Sequence, residues 1–284
     1  MKKISVLIIA LSALMLLSSC SSINEIDERK VKDVSDKITE VIIDSVGKES
    51  AEKKESFNIA AENLNTLNIE STVGDIDITT HESTEATIQL KVIAKSNSKE
   101  NAEKLIEEFD YKIEENSNSI NIDTTFEDDN LFDNSNIQTE LTISLPKNIN
   151  SFIISLNVGE VHVVNSEGSF KIESNVGNIS VESSKGTYQL STDVGDIVVL
   201  NSTAEGDCDF HTNTGNIELS LGDISNANII SALTNVGDVE LKIPESSDYE
   251  ATVKEFMKDE RTESNGSKKT KIELESNVGE ISFN

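Results

Sequence analysis

Asn175-Val176-Gly177-Asn178-Ile179 recurs further along the chain as Asp193-Val194-Gly195-Asp196-Ile197, and five more copies of this unit lie elsewhere in the sequence. The unit is Val or Thr, then Gly, then an acid or amide, then Ile or Val. Its glycines are Gly74, Gly159, Gly177, Gly195, Gly215, Gly237 and Gly279. The spacing is nearly even from Gly159 to Gly237, whereas longer stretches separate the first two copies and the last two. Repetition at intervals of about 18–22 residues indicates a repeat architecture.

Apolar residues stand at fixed offsets from each unit. They occupy the second and fourth positions after the glycine, as in Ile179 and Val181, and the sixth and fourth positions before the Val or Thr, as in Phe170 and Ile172. Alternation with a period of two is typical of strands that bury one face. Further glycines, at 168, 186 and 206, indicate a second turn in the rung. Because one such unit cannot bury its apolar face alone, the pattern predicts an all-β, single-chain β-solenoid. Its rungs have about 18–22 residues, each with two short strands and two turns.

The residues beside the glycine also follow a pattern. A corner at every rung needs a backbone that accepts positive φ, which glycine does without steric cost. Asn or Asp precedes the Val or Thr in six of the seven units, and these side chains are expected to form a hydrogen-bonded ladder between rungs about 4.8 Å apart. From Glu160 to Asp238 the residue after the glycine alternates between acid and amide. We interpret this alternation as keeping like charges two rungs apart.

These units resemble a known family. Together with Leu145-Pro146-Lys147-Asn148 before the regular block and Leu241-Lys242-Ile243-Pro244 after it, they are similar to the bacterial putative-adhesin β-solenoid family DUF4097, to which a head domain named for its Gly-Ile-Asn motif is related. The resemblance covers roughly residues 57–284. The charged insertion Glu255–Lys271 departs from the pattern and interrupts the last two rungs. The family's name implies adhesion, but a fold by itself does not establish a function.

Other segments predict helices and additional strands. Ser98–Phe109 is predicted to form a short inserted helix with Ser98 as its N-cap. Tyr111–Thr125 and Asn136–Leu145 alternate as strands do, and the acidic residues between them are expected to form a loop. Residues 20–56 are polar, with apolar residues at steps of three and four, which favours a tether helix or a short coiled coil.

The N-terminus predicts export. Lys2 and Lys3 precede an apolar run from Ile4 to Leu17, which is short for a bilayer span but typical of a secretory signal. Leu17-Ser18-Ser19-Cys20 resembles the bacterial lipobox, with Ser19 where Gly or Ala is commoner. The resemblance implies cleavage after residue 19 and acylation of Cys20 with diacylglycerol and palmitate. An ordinary secretion signal is the alternative. We therefore expect a protein anchored to the outer face of the cell membrane.

Composition and motifs argue against several functions. A net charge of −28 argues against nucleic-acid binding, because nothing in such a chain would neutralise the phosphates. The chain has no Gly-x-Ser-x-Gly, His-Glu-x-x-His or Gly-x-x-x-x-Gly-Lys pattern, so no catalytic residue, metal ligand or cofactor is predicted. Weak cation binding by Asp193, Asp196 and Asp238 is the alternative to solvated surface acids. His81, His162 and His211 are interpreted as surface residues, and Cys208 as a buried core residue.

The sequence predicts three parts: a lipoprotein signal peptide at 1–19, a polar tether at 20–56 and an adhesin-like solenoid at 57–284. The first functional hypothesis is a non-catalytic binding module whose envelope or cell-surface partner is basic or bridged by cations. A second, based on the resemblance, is an accessory or sensor component of an envelope-stress signalling system. A third is a β-helix enzyme that acts on glycans.

Overall fold

The computed structural model describes residues 49–126, 136–255, 258–267 and 270–284. These residues fall into two compact units. Of the described residues, the first unit comprises 49–52, Ile93–Glu108 and 136–137, and the second comprises Lys53–Val92, Phe109–Phe126 and the described residues from Gln138 to Asn284. The predicted signal peptide, Cys20 and most of the predicted tether lie outside the described residues.

Apart from one helix, all the elements of the described residues are strands, as predicted. The elements are β1 (Glu49–Ala60), β2 (Thr66–His81), β3 (Glu85–Ser96), α1 (Lys99–Glu108), β4 (Lys112–Asn116), β5 (Ser119–Thr124), β6 (Asn136–Pro146), β7 (Ser151–Val158), β8 (Val161–Val164), β9 (Glu167–Val176), β10 (Ile179–Glu182), β11 (Lys185–Val194), β12 (Ile197–Thr214), β13 (Ile217–Val236), β14 (Val239–Lys242), β15 (Tyr249–Glu255), β16 (Arg261–Asn265), β17 (Thr270–Ser276) and β18 (Ile281–Phe283).

In the second unit, all seven repeats stack as parallel rungs in chain order. The residue two positions after each glycine pairs with its equivalent in the next rung, through the column Ile76, Val161, Ile179, Ile197, Ile217, Val239 and Ile281. The first rung, in β2, lies directly against the second, in β7 and β8, although all the elements from β3 to β6 lie between them in the chain. The two longer rungs absorb their extra residues as shifts of register, for example between Val199 and Ser202. This stacking confirms the predicted solenoid.

The predicted inward positions form the core. All the apolar residues at the four fixed offsets are buried, except Phe283, which is half-buried. Phe152, Phe170 and Tyr188 form a stacked column, with ring centroids 4.8 Å and then 5.2 Å apart and nearly parallel planes. In the next rung Cys208 takes the equivalent position, and the Phe210 ring lies 6.0 Å from Tyr188. Stacked and offset rings of this kind contribute about 0.5–1.5 kcal/mol per pair beyond their buried area.

The predicted helix is present in the first unit. Helix α1 spans Lys99–Glu108, and the backbone N–H of Asn101 donates to Ser98 Oγ at 3.2 Å. This bond confirms Ser98 as the N-cap, because the cap hydroxyl satisfies one of the N–H groups that the first turn leaves unpaired. Ala102 and Ile106 are the buried residues of the helix.

The structure corrects several details of the sequence interpretation. A rung does not consist of two equally short strands, since four-residue β8 and β10 alternate with ten-residue β9 and β11. The glycines at 168 and 186 lie inside the long strands, and the chain turns just before them. Tyr111–Thr125 forms an antiparallel hairpin, β4–β5. Residues 49–56, predicted as the end of the tether, already belong to β1.

The charged insertion between the last two rungs adds strands to the sheet. Strand β15 pairs in parallel with β17, although β15 precedes β17 in the chain, and β16 pairs antiparallel with β15. The final rung, β17–β18, is therefore placed between the preceding rung and the inserted strands. Local alternation gives no sign of this order, because the pairing depends on residues that are distant in the chain.

Candidate binding surface

Each repeat unit forms a corner that we call the glycine corner: the Val or Thr, the glycine and the acid or amide after it. The seven glycines have φ between 140° and 157°, a region that side chains rarely adopt. A Cβ added to any of the last six would lie 1.8–2.1 Å from the carbonyl oxygen of the glycine in the preceding rung. Glycine is thus needed for two reasons, the φ angle and the close approach of the next backbone. The sequence predicted only the first.

Buried hydroxyl groups hold successive glycine corners together from inside. Thr192, Thr212, Thr234 and Ser276 each donate a hydrogen bond to a glycine carbonyl of the preceding rung, at 2.8–3.1 Å. All four residues are buried. A buried carbonyl without a donor costs about 1–3 kcal/mol, so these bonds explain why polar residues stand at inward positions. The signal in the sequence is a Ser or Thr two positions before the Val or Thr.

The predicted amide ladder lies on the outside of the corner. Asn175 donates to Asn157 at 3.2 Å, Asn213 to Asp193 at 2.8 Å, Asn235 to Asn213 at 2.9 Å and Asn277 to Asn235 at 2.8 Å. The side-chain carboxylate of Asp193 accepts a hydrogen bond in this ladder and has no hydrogen to donate. These bonds confirm the ladder that the sequence predicted between neighbouring rungs.

The acids and amides after the glycines form a second set of contacts, which we call the acceptor row: Asp75, Glu160, Asn178, Asp196, Asn216, Asp238 and Glu280. Asp196 Oδ1 accepts the backbone N–H of Asn216 at 2.7 Å, and Asn216 Oδ1 accepts that of Asp238 at 2.9 Å. The same bond is made by the side chains of Asp75, Asn178 and Asp238. Asp and Asn both supply the acceptor oxygen, and this explains their interchange better than the separation of like charges.

The Val or Thr of each unit is the unexpected feature of the corner. Val158, Val176, Val236 and Val278 are 41–50% exposed, and Val73, Val194 and Thr214 are half-buried. From Val73 to Val236 they pair with one another from rung to rung, and Val278 holds the same position in the last rung. With rungs about 4.8 Å apart, they form a continuous apolar row that we call the valine strip. Alternation did not predict it, because the strip lies where the chain turns.

Charge surrounds the valine strip unevenly. Five of the seven members of the acceptor row are acids, namely Asp75, Glu160, Asp196, Asp238 and Glu280. The amide ladder, which precedes the strip in each rung, is neutral except at Asp193. An apolar row with carboxylates along one border is complementary to a partner that presents apolar and basic groups.

A second corner in three of the rungs, which we call the serine corner, uses different residues. Asn165, Ser183 and Asn201 have φ between 52° and 56°. Each precedes a buried serine: Ser166, Ser184 or Ser202. Ser184 Oγ donates to the Glu182 carbonyl at 2.9 Å and accepts the backbone N–H of Ser166 at 3.1 Å. The sequence predicted a second turn here from Gly168, Gly186 and Gly206, but it did not identify the buried serines or the residues with positive φ before them, although these Asn-Ser or Ser-Ser pairs recur at the same place in successive rungs.

His162 and His211, which were considered as possible chemical groups, lie on different rungs. His162 Nδ1 lies 3.5 Å from Asp77 Oδ1. His211 Nε2 lies 3.3 Å from Asn213 Oδ1, in the same strand as His211. Burial raises the pKa of the Cys208 thiol to about 11, as fits a core residue. The described part of the chain contains no group of three or more His, Cys, Asp or Glu residues placed to hold a metal ion. Within the same residues, no helix has the length and apolar character needed to span a membrane.

Stacked parallel rungs with glycine corners define a single-chain β-solenoid. Residues 148–284 match the family described as Toastrack DUF4097. The resemblance that the repeat units indicated is confirmed there. Strands β2, β5 and β6 precede the matched residues and still join the same stack of strands.

Three solved structures are similar to the chain, each over 82% of its length. A putative adhesin from Bacteroides fragilis has 17% identity and a TM-score of 0.41 over 97% of that chain. A putative cell adhesion protein from Clostridium sporogenes has 14% identity and a TM-score of 0.31 over 99%. A putative adhesin from Parabacteroides distasonis has 14% identity and a TM-score of 0.30 over 98%. No curated protein matches the chain.

Proposed function

We propose that this protein is a non-catalytic lipoprotein, anchored through Cys20 to the outer face of the cell membrane, whose solenoid binds an envelope or cell-surface partner. The observation that carries the proposal is the valine strip. Exposed apolar side chains in a continuous row mark contact surfaces, and here the row belongs to a chain with a net charge of −28. A partner that covers the strip is therefore basic, or bridged by cations to the acceptor row.

The anchor follows from the lipobox-like sequence at Leu17–Cys20. In cells fed an alkyne-tagged palmitate, we expect the full chain to be labelled and to sediment with membranes. A chain with Cys20→Ser is expected to lose the label and to be released. Labelling that persists after this substitution would exclude Cys20 as the anchor.

The binding role is tested by removing residues 57–284 while keeping the signal and tether. Cells with the shortened chain are expected to lose the surface binding that the full chain confers, and unchanged binding would exclude an adhesin-like role. Coprecipitation of a membrane sensor protein with the full chain would favour the signalling role instead. Release of sugar from purified wall material would support the enzyme hypothesis.

A further inference from the structure

The backbone along the valine strip is already bonded within the stack. At one corner the Gly195 N–H donates to the Thr214 carbonyl at 2.9 Å, and the Gly195 carbonyl accepts the Thr212 hydroxyl at 2.9 Å. The Val194 carbonyl accepts the Gly177 N–H at 2.8 Å, and side chains of the acceptor row bind N–H groups that follow the glycines. An extended segment laid along the strip would therefore find no backbone partner there, whereas an α-helix pairs its own backbone groups.

The spacing of the valine strip also fits a helix better than a strand. Its seven residues, from Val73 to Val278, extend about 29 Å when neighbouring rungs are about 4.8 Å apart. A helix rises about 5.4 Å per turn, so each turn places an apolar side chain near one rung, and about 19 residues cover this length. In an extended strand the side chains of one face are about 6.7 Å apart, which falls out of step with the rungs.

The two borders of the valine strip differ in charge. In the acceptor row Glu160, Asp196 and Asp238 stand on alternate rungs, about 9.6 Å apart. Among the described residues, no Lys or Arg forms an ion pair with an acid of this row. Basic residues seven positions apart on one flank of a helix are about 10.5 Å apart, close to the spacing of these acids. The other border is the amide ladder, which is neutral except at Asp193 and so favours uncharged side chains.

We propose that the valine strip binds an amphipathic α-helix of a partner protein. The helix lays its apolar face over the strip, with basic residues seven positions apart beside the acceptor row and uncharged residues beside the amide ladder. Apolar contact supplies affinity, and the single basic flank fixes the direction of the helix along the strip. This inference rests on the proposed function, because it names the class of partner for the same surface.

The probe is a synthetic peptide in which the heptad Leu-Gln-Ala-Leu-Gln-Ala-Lys occurs three times, blocked at both ends. Its leucines form one face of a helix, and its lysines lie beside that face on one flank. The parent is the full chain with Cys20→Ser, which lacks the predicted lipid, so that no detergent competes for the peptide. We expect saturable binding by fluorescence polarisation, and circular dichroism of the mixture should show that the peptide gains helix.

A matched control peptide has Pro in place of the first Ala of the central heptad. Proline breaks a helix in its interior, but every leucine and lysine of the peptide stays, so its charge and its large apolar side chains are unchanged. We expect the proline peptide to bind at least about tenfold more weakly than the heptad peptide. Equal binding of the two peptides would overturn the helical partner.

Two double variants of the parent test the basic flank. Asp196→Asn with Asp238→Asn removes two charges of the acceptor row and keeps the acceptor oxygens, since Asn216 accepts the same backbone bond in its own rung. We expect the heptad peptide to bind this variant about fivefold more weakly, as two exposed ion pairs allow. The matched control is Asp207→Asn with Asp209→Asn, which removes two exposed acids elsewhere in β12 and is expected to bind as the parent does.

A strip variant with Val158→Ser, Val176→Ser and Val236→Ser should bind the heptad peptide at least about tenfold more weakly than the parent. The inference is overturned if the parent does not bind the peptide, or if the strip variant binds it equally well. Equal losses in the two double variants would also overturn it, because the effect would then be one of net charge alone. Dimerisation of the parent that the strip variant abolishes would assign the strip to a second copy and overturn the helical partner.

Binding of the same chains to cell envelopes separates this inference from the proposed function. If the strip variant binds envelopes more weakly but the parent does not bind the heptad peptide, the helical partner is wrong and the strip remains the contact surface. If the parent binds the peptide through the strip but the strip variant binds envelopes as the parent does, the proposed function is wrong and the helix site remains.

Discussion

The glycine corner and the serine corner of one rung solve the same problem with different residues. Both turn the chain with a positive φ, at 140–157° in the first and 52–56° in the second. Asn and Ser tolerate the second range, which is the left-handed region. At the glycine corner a Cβ would meet the neighbouring carbonyl at about 2 Å, as it would at Gly195, where the distance is 2.1 Å.

The comparison shows that the approach of the next rung, together with the larger φ, decides where glycine is required. At the glycine corner, the backbone, the buried hydroxyls, the amide ladder and the acceptor row all bond from rung to rung. At the serine corner the backbone also bonds from rung to rung, as from Asn165 N–H to the Glu182 carbonyl at 3.0 Å, but each of the side-chain bonds there uses one buried serine. We therefore expect substitutions at the two corners to differ strongly in their effect on stability.

The largest effect is expected for Gly195→Ala. The added methyl group meets the Gly177 carbonyl oxygen at 2.1 Å and the backbone φ is 152°, so both rungs must shift. We expect the free energy of unfolding to fall by at least about 3 kcal/mol, measured by urea denaturation. The matched control is Gly222→Ala, where the nearest atom, the Ser202 carbonyl oxygen, lies 3.9 Å away. Similar losses in the two variants would refute the role of close approach.

A smaller loss is expected for Thr212→Val, which keeps the shape of the side chain and removes the donor to the Gly195 carbonyl at 2.9 Å. The free energy of unfolding should fall by about 1–2 kcal/mol. Ser174→Ala is the control in the same inward column, because the buried Ser174 hydroxyl has no hydrogen-bond partner among the residues that the structure describes. Its removal should leave the urea midpoint nearly unchanged, and an equal loss would argue against the hydroxyl bonds as the source of stability.

Glu255 stands at the end of the inward column that holds Ser174 and Thr212, and its carboxyl group allows a test by pH. Glu255 pairs in register with Ser276, and its side chain is 3% exposed. The hydrogen bond from Lys258, and then that from the Ile281 N–H, hold the pKa of Glu255 below its usual value near 4.5. A lowered pKa in the folded state means that the carboxylate stabilises the fold above about pH 4.5, and that this contribution is lost as the pH falls through the lowered pKa.

Glu255→Gln should therefore reduce the free energy of unfolding by less than about 1 kcal/mol at pH 7, because the partner lysine is largely exposed. The variant should also lose less stability than the parent between pH 5 and 3, as followed by urea midpoints. Parallel pH profiles for the two chains would show that Glu255 does not contribute through its charge.

The smallest effect is expected at the serine corner. Asn201→Gly relieves the positive φ of 52° but makes the unfolded chain more flexible. These effects oppose each other, so the free energy of unfolding should change by no more than about 0.5 kcal/mol. A loss as large as that for Gly195→Ala would mean that the two corners do not differ in the way described.

Much of the fold follows from local rules. Alternation identified the buried columns, glycine spacing identified the rungs, and the residue before each Val or Thr identified the amide ladder. Ser98 marked the start of α1 through ordinary capping chemistry. Each of these signals depends on residues close together in the chain, or on one position repeated from rung to rung.

The features that were missed depend on contacts across rungs or between distant segments. The acceptor row bonds to backbone N–H groups, and the register of the stack brings these within reach. The valine strip is exposed because the chain turns beside it, although its residues continue the two-residue alternation of the inward core positions before them. Strand β15 pairs beyond β17, an order that no periodicity reveals.

The most direct test of the central claim, that the valine strip is the binding surface, is the affinity of the full chain for cell envelopes of its source organism. One variant carries Val158→Ser, Val176→Ser and Val236→Ser, and the control carries Ile153→Ser and Ile229→Ser, which replace exposed apolar residues outside the strip. We predict that the strip variant binds at least about tenfold more weakly, the equivalent of about 1.4 kcal/mol, while the control binds as the unaltered chain does. Equal binding by all three chains, with equal urea midpoints, would contradict the claim.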